Sequence, residues 1–215
     1  MNVIKFKIKL FLILFLIPII AFSQTNVSFS LLDDVLIDND QKIEMLRKIA
    51  GIYYQTKDYD YALKTYDKIL KESPSDQEAQ YMIGVIYITS KKYKEAIDHL
   101  EKQIDRYPNN YHGFNNLAWL YATADDKKFR DAEKSLDLSL KALALAPFDK
   151  HIWSTLAEAY FISGNFSKAK RAMQQVVDLA TQEKGNLTQD MVKTYNSQIE
   201  KFDRALKTQE LMNLN

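Results

Sequence analysis

The sequence predicts an all-α protein, an α-α superhelix of about four helix-turn-helix repeats with a capping helix at the C-terminal end. The first observation is a residue pattern that recurs with a period of 34 positions, which is typical of helical solenoids. The second is a small residue at two fixed positions of each copy, because only small side chains let paired helices approach closely. We therefore expect helix nearly throughout residues 41–210 and no strand.

Residues 1–23 have the pattern of a secretory signal peptide. Three lysines precede an apolar run over residues 10–22, and Ala21 and Ser23 provide small residues at a cleavage site before Gln24. The run is shorter than the roughly 20 residues of a transmembrane helix. We expect cleavage, no stable membrane insertion afterwards, and a periplasmic or secreted protein of a bacterial cell envelope. An uncleaved membrane anchor is the alternative.

Residues 24–40 form an N-terminal segment between this signal and the repeats. An apolar stretch within it, residues 30–37, predicts a short helix that covers the first repeat. Asp38, Asn39 and Asp40 then interrupt the apolar pattern, and side chains of this kind cap helix N-termini. The first repeat helix should therefore begin here.

The first two copies of the pattern match each other over residues 43–76 and 77–110. The first copy consists of Leu46, Ile49, Ala50, Tyr53, Tyr59, Ala62, Tyr66 and Pro74. The second copy consists of Gln80, Ile83, Gly84, Tyr87, Tyr93, Ala96, Leu100 and Pro108. Each residue of the second copy lies 34 positions after its counterpart, which predicts two successive helix pairs.

Two less regular copies follow over residues 111–149 and 150–182. The third consists of Phe114, Leu117, Ala118, Tyr121, Phe129, Ala132 and Leu136. The fourth consists of Trp153, Leu156, Ala157, Tyr160, Gly164, Phe166, Ala169 and Met173. In the third copy two additional residues precede Ala132, and we place them in the polar turn 125–128, where an insertion is tolerated. Ala132 should then contact the first helix as Ala96 does.

The second helix of the third copy is also rich in leucine. Its leucines are Leu136, Leu138, Leu140, Leu143 and Leu145. They occupy more of the helix circumference than one buried stripe requires. We expect additional burial, with a contact between two copies of the chain as the alternative.

The four copies resemble the tetratricopeptide repeat family over roughly residues 43–181. The resemblance implies an antiparallel helix pair per repeat, a right-handed superhelix, and a concave face lined by the first helix of each pair. Members that bind chaperones hold a terminal carboxylate with lysine, asparagine and arginine at set positions. Those positions here hold Arg47, Gly51, Met82, His112 and Asn116, so that carboxylate clamp is absent.

Residues 186–210 predict the capping helix. Asn186 and Gln189 fit a capping box, and an apolar stripe of helical spacing follows. The stripe consists of Val192, Tyr195, Ile199, Phe202 and Leu206. We expect the helix to cover the last repeat, since terminal repeats need a polar outer face. The alternatives are that it fills the groove or pairs with another helix.

Composition and charge exclude several classes of function. The chain has 29 basic and 28 acidic residues; cleavage of the signal would remove three lysines and leave 26 against 28, a net charge of −2. Such a chain has no clustered basic surface for nucleic acid. The absence of cysteine excludes disulfides and thiolate metal sites. We expect no catalytic motif, cofactor or metal, with His99 facing outward and His112 and His151 at the groove rim as solvated residues.

The concave face predicts the function. Helical spacing places on it Arg47, Tyr54, Tyr81, Val85, Ile88, Asn115, Trp119, Glu158 and Phe161. These residues form a largely apolar groove that suits an amphipathic helix or an extended apolar segment. We therefore expect an exported, non-enzymatic scaffold that binds a protein or peptide segment. The alternative is a structural or homo-oligomeric module whose groove is filled by its own terminal helix.

Overall fold

The computed structural model describes residues 38–183 and 188–213, and in these ranges the chain is helical without a strand. Its α-helices are α1 Asn39–Gln55, α2 Tyr59–Glu72, α3 Gln77–Thr89, α4 Tyr93–Arg106, α5 Tyr111–Thr123, α6 Ala132–Leu145, α7 Lys150–Ile162, α8 Phe166–Gln182 and α9 Gln189–Asn213. A short 3₁₀ helix, Lys127–Phe129, precedes α6. The predicted fold class is confirmed.

The contacts divide the chain into two compact units, residues 1–46 and residues 47–215. The predicted signal peptide lies outside the described residues, as does the segment that follows it up to residue 37. In the first unit, the Asp38 carboxylate accepts a 2.8 Å hydrogen bond from the Gln41 backbone N–H at the start of α1. The second unit contains α2 to α9 and the C-terminal part of α1. Within the described ranges, none of the helices is both long and apolar enough to cross a bilayer.

Short turns of two kinds join the helices. The turns that lead into α3, α5 and α7 end in Asp76, Asn110 and Asp149, whose side chains accept hydrogen bonds of 2.8–3.0 Å from backbone N–H groups of the following helix. These caps satisfy donors that a helix N-terminus leaves free. They fix the direction of each first helix, on which the candidate site lies.

The turns that end α1, α3 and α7 share one backbone geometry. Lys57, Lys91 and Gly164 have positive φ angles of 65°, 60° and 74°. In each turn the backbone N–H of this residue donates to the carbonyl oxygen three positions earlier. The N–H of the next residue donates to the carbonyl oxygen five positions earlier, as Asp58 N–H does to Tyr53 O at 2.8 Å. This is the Schellman motif, in which glycine is preferred because it has no Cβ. Two of the three turns use lysine instead.

Small residues form the contact within each helix pair. Ala50, Ala118 and Ala157 on first helices are fully buried, as are Ala62 and Ala96 on second helices. At the remaining first-helix position, a Cβ added to Gly84 would lie 2.8 Å from Leu100 Cδ2. The paired helices therefore approach closely, as predicted, because the residues at the contact have small side chains or none.

The third repeat differs from the prediction. Asp131 N–H bonds to Tyr121 O at 3.0 Å and Ser135 N–H to Asp131 O at 2.9 Å, which is the arrangement that Lys92 and Ala96 form after Tyr87. Ser135, fully buried, is thus the counterpart of Ala96, and the assignment of Ala132 to this contact was wrong. Five additional residues, rather than two, separate the first helix from this position.

The leucines of α6 also differ from the prediction. Leu138 is buried, but Leu140 and Leu145 are 44% and 42% exposed. The buried face of α6 instead consists of Ser135, Leu138, Ser139 and Ala142. The expectation of additional burial was therefore wrong for Leu140 and Leu145, because the register is shifted by three residues.

The C-terminal helix α9 packs against α8. Phe202 is fully buried in a cluster with alanines of α7 and α8, Met173 and Val176, and Tyr195 and Ile199 pack beside it. The helix starts at Gln189, and Thr188 Oγ1 accepts a 3.3 Å hydrogen bond from Met191 N–H. Thr188 therefore occupies the capping position that was predicted for Asn186, a residue outside the described ranges.

Candidate peptide-binding groove

The candidate groove lies on the layer of first helices in residues 47–215. Helices α3 and α5 contact each other, as do α5 and α7, whereas α4 and α6 make their extensive contacts with first helices. First helices thus form an inner layer and second helices an outer layer. The predicted groove residues lie on the inner layer, where successive repeats place side chains next to one another.

An ion-pair cluster occupies one end of the groove. The Arg47 guanidinium bonds the Asp76 carboxylate through Nη2 and lies 3.2 Å from Glu78 Oε2 through Nε. Asp76 is itself buried and caps α3. Because two carboxylates hold Arg47, its charge is balanced from within the chain. Tyr54 continues this end, with its hydroxyl 3.5 Å from Thr89 Oγ1.

A stack of rings follows along the rim. The Tyr81 ring centroid lies 4.9 Å from that of His112, which lies 4.0 Å from that of Tyr111. Burial lowers the pKa of His112, opposed by the nearby Asp149 carboxylate, and burial raises the pKa of Tyr81. His112 is therefore neutral near pH 7 and half-buried between the tyrosines, not the solvated rim residue that was expected.

The centre of the groove is apolar and open. Val85 and Ile88 of α3 are half-buried, and Trp119 of α5 is 37% exposed. Asn115 lies one helical turn before Trp119, and its buried Oδ1 has no hydrogen-bond partner among the described residues. The predicted groove residues at this centre therefore provide an exposed indole, aliphatic side chains and an amide group, none of which is charged.

Helix α9 covers the other end of the groove. Lys201 Nζ lies 2.9 and 3.0 Å from the two carboxylate oxygens of Glu158 and 4.2 Å from the centroid of the Phe161 ring. The Phe161 ring also packs on Phe202, with centroids 5.2 Å apart. Only 13% of the Glu158 side chain is exposed. Glu158 and Phe161 thus lie under α9, and the open part of the groove ends near Trp119.

Sequence reasoning missed Lys201. A signal was present, because Lys201 lies between Ile199 and Phe202 of the apolar stripe and so stands at the edge of the packed face. Its partner Glu158 lies 43 positions earlier. Only the orientation of α9 on α7 and α8 brings the two side chains together.

The remaining histidine also differs from expectation. His99 was expected to face outward, yet it is largely buried, with its ring 6.0 Å from that of Tyr87 and Nε2 3.2 Å from Gln80 O. Burial lowers the pKa of His99. Among the described residues, no group of three His, Cys, Asp or Glu side chains is placed to hold a metal ion.

Comparison with known proteins agrees with the repeat geometry. Residues 53–118 match one family model described as tetratricopeptide repeat, and residues 151–183 match a second with the same description. The chain carries tetratricopeptide repeats. The first segment contains Tyr81 and ends one residue before Trp119, and the second contains Phe161. Most of the candidate groove residues therefore lie within the matched repeats.

Similar proteins share the repeats over part of their length. TPR repeat-containing protein MJ1428 of Methanocaldococcus jannaschii is 25% identical over 131 residues, 60% of this chain and 22% of that protein. Superkiller protein 3 of Saccharomyces cerevisiae is 36% identical over 81 residues, 36% of this chain and 6% of that protein. The tetratricopeptide-repeat chain thus spans less than a quarter of the length of either relative.

A solved structure shows the same fold. The tetratricopeptide-repeat protein TTC0263 of Thermus thermophilus superposes with a TM-score of 0.60 at 20% identity, covering 76% of this chain and 82% of that protein. At this identity the likeness concerns the fold of the tetratricopeptide-repeat chain and not its ligand.

Proposed function

We propose that this chain is a non-enzymatic scaffold that binds an apolar segment of a partner protein or peptide across α3 and α5. The observation that carries this proposal is the exposure of Trp119 on α5, an inner-layer helix in contact with α3, which carries the half-buried Val85 and Ile88. Exposed aromatic side chains in a concave apolar site commonly anchor interfaces. Tetratricopeptide repeats provide such a surface without catalytic groups.

Charge supports a partner segment that is uncharged where it meets the groove centre. Arg47 is paired with Asp76 and Glu78, and Glu158 is paired with Lys201. Both charged ends are therefore neutralised within the chain. A partner charge placed between them would lose water without gaining a counter-charge, which is unfavourable. Asn115 offers an amide for a backbone hydrogen bond of the bound segment.

A fluorescence titration tests this proposal. The chain has two tryptophans, so Trp153→Phe leaves Trp119 as the single reporter. We expect a synthetic amphipathic helix, with leucine on one face and glutamine on the other, to shift the Trp119 emission to the blue. Trp119→Ala removes the reporter, so its binding is measured by calorimetric titration with the same probe; it should be weaker by more than about 1 kcal/mol, with helicity unchanged. Lys64→Ala, on an outer helix, is the matched control.

Two results would contradict the groove proposal. One is an apolar probe that binds equally well to Trp119→Ala and to the unmodified chain. The other is Trp119 emission that is already blue-shifted in the free protein and moves to the red when α9 is deleted. The second result would favour the alternative, a structural module whose groove is filled by its own helix.

We further propose that the protein is exported and that it acts in the periplasm or outside a bacterial cell. The lysines before the apolar run 10–22 and the small residues Ala21 and Ser23 support this proposal. Intact mass spectrometry of the protein from a secreting host should give a chain that begins at Gln24. A membrane-bound product that retains residues 1–23 would contradict it.

A further inference from the structure

The first and second repeats contain an arginine site that the chain fills itself. Asp76 Oδ1 accepts the capping hydrogen bond from the Ala79 backbone N–H, and Asp76 Oδ2 accepts a second bond from the Arg47 guanidinium. Arg47 Nε also lies 3.2 Å from Glu78 Oε2. One carboxylate at this place thus serves as a helix cap and binds an arginine side chain at the same time.

The same place recurs between the third and fourth repeats, where the arginine is missing. Asp149 corresponds to Asp76, because it precedes α7 and its Oδ1 accepts a 2.8 Å hydrogen bond from the His151 backbone N–H. The counterpart of Arg47 is Asn115, two periods of 34 positions later in the sequence. Asparagine is shorter than arginine and carries no charge. The Asp149 carboxylate, which is partly exposed, therefore lacks the guanidinium that Asp76 binds.

The contact between the second and third repeats supports this comparison. Tyr81 and His112 lie 34 positions after Arg47 and Glu78, and their ring centroids are 4.9 Å apart. Side chains at these two positions thus meet in both pairs of successive repeats. In the fourth repeat the position of Glu78 is held by His151. The place near α7 therefore has one carboxylate rather than two.

Aromatic rings, rather than basic side chains, adjoin the Asp149 carboxylate. The adjacent Lys150 pairs with Glu183, and within the described residues Asp149 forms no ion pair. Burial raises the pKa of the Tyr111 hydroxyl, and the Asp149 carboxylate raises this pKa further. Burial lowers the pKa of His112, and the same carboxylate opposes this shift. A carboxylate beside flat rings suits a guanidinium, which is planar, binds carboxylates through two N–H groups and stacks on aromatic faces.

We propose that Asp149, together with the rings of Tyr111 and His112, forms a subsite for an arginine side chain of the bound segment. The arginine occupies the place beside Asp149 that Arg47 occupies beside Asp76. The subsite lies at the rim, at the start of α7, so a segment can place an arginine there and its apolar side chains at the groove centre. The inference rests on the proposed groove function, since the guanidinium belongs to the bound segment.

An NMR titration with acetylarginine amide tests the subsite without a bound segment. We expect a saturable shift of the His112 imidazole protons, with a dissociation constant on the order of millimolar, and no such shift with the neutral isostere acetylcitrulline amide. Asp149→Asn should weaken binding at least about threefold. This variant keeps the cap, because Asn110 caps α5 at the equivalent position. Asp131→Asn, at the cap of the outer helix α6, is the matched control and should bind as the unmodified chain does.

Three results of this titration would overturn the proposal. The first is the absence of a saturable shift with acetylarginine amide. The second is equal binding of the arginine and citrulline probes. The third is an Asp149→Asn variant that binds acetylarginine amide as tightly as the unmodified chain.

A second titration separates the subsite from the groove proposal. The amphipathic helix of leucine and glutamine is compared with two versions that carry one arginine in place of a terminal glutamine, at either end. One of these should bind the Trp153→Phe chain at least about threefold more tightly, and Asp149→Asn should remove the gain. If all three peptides bind equally, the subsite is overturned and the groove proposal stands. If no peptide binds but acetylarginine amide does, the groove proposal alone is overturned.

Discussion

Ser135 Oγ donates a 2.9 Å hydrogen bond to the Ala118 carbonyl oxygen across the contact between α5 and α6. Both residues are fully buried. At the same place the other repeats pair Ala50 with Ala62 and Ala157 with Ala169. The third repeat thus keeps the small volume of this contact but adds a polar bond.

This contact gives the first prediction. Ser135→Leu should destabilise the protein by about 1–3 kcal/mol, because added volume has no space between the two helices. Ala132→Leu should cost less, since Ala132 is only half-buried at the start of α6. Urea unfolding of both variants measures the difference. If Ala132→Leu lowers the unfolding free energy as much as Ser135→Leu or more, then Ala132 is the contact residue, as the sequence alone predicted.

The second prediction concerns the lysine turns. Lys57 has a φ of 65°, a conformation that costs a residue with a Cβ roughly 1–2 kcal/mol. Lys57→Gly should therefore raise the unfolding free energy by about 1 kcal/mol. The control is Lys64→Gly, inside α2, which should lower it by about 1 kcal/mol. A Lys57→Gly variant that is less stable than the unmodified protein would contradict the strain argument.

The third prediction concerns alkaline pH. Burial, with a smaller effect of the Glu78 carboxylate, raises the pKa of Tyr66 to about 12. In the unfolded chain this phenol ionises near its ordinary value of 10, so between pH 10 and 12 the unfolded state carries fewer protons than the folded state. Stability should consequently fall as the pH rises through this range.

Tyr66→Phe isolates this effect, because it keeps the ring and removes the ionisable hydroxyl. Unfolding free energies measured from pH 8 to 12 should decline less steeply in the variant. If the two curves remain parallel, another group is responsible for the alkaline loss.

The fourth prediction concerns the anchor of α9. Phe202 is fully buried against Ala157, Ala169 and Met173, so Phe202→Ala should cost about 3–5 kcal/mol in stability. Hydrogen exchange should show reduced protection in α8 and α9. Val192→Ala, an exposed position of the same helix, should change stability by less than about 0.5 kcal/mol. Intact protection of α9 in Phe202→Ala would show that α9 is not held by this residue.

The sequence predicts the helix pairs well because two constraints recur in each repeat. Ala96 and Gly84 mark where helices touch, and Pro74 and Pro108 mark where pairs end. The sequence predicts the wrong register in the third repeat. Its aromatic, small and bulky residues Phe129, Ala132 and Leu136 match the repeat pattern, but they lie three residues before the positions that the structure uses. The small residue actually used there is polar, and a longer turn conceals the shift.

The site is predicted less completely than the fold. Helical spacing places Tyr81, Val85 and Trp119 on the inner layer. It does not indicate that Lys201 reaches Glu158, because that contact depends on how a separate helix is rotated on its neighbours. Contacts of this kind follow from tertiary packing and have no local sequence period.

The burial of Phe202 between α7 and α8 has a consequence for protein engineering. A designer who joins another repeat after residue 183 would bring a new first helix to the surface of α7 and α8 that α9 already occupies. The added helix and α9 would compete for this surface, so one of the two would remain unpacked in solvent. Longer arrays are better made by duplicating 77–110 within the chain, where the regular period of 34 residues provides matching surfaces on both sides.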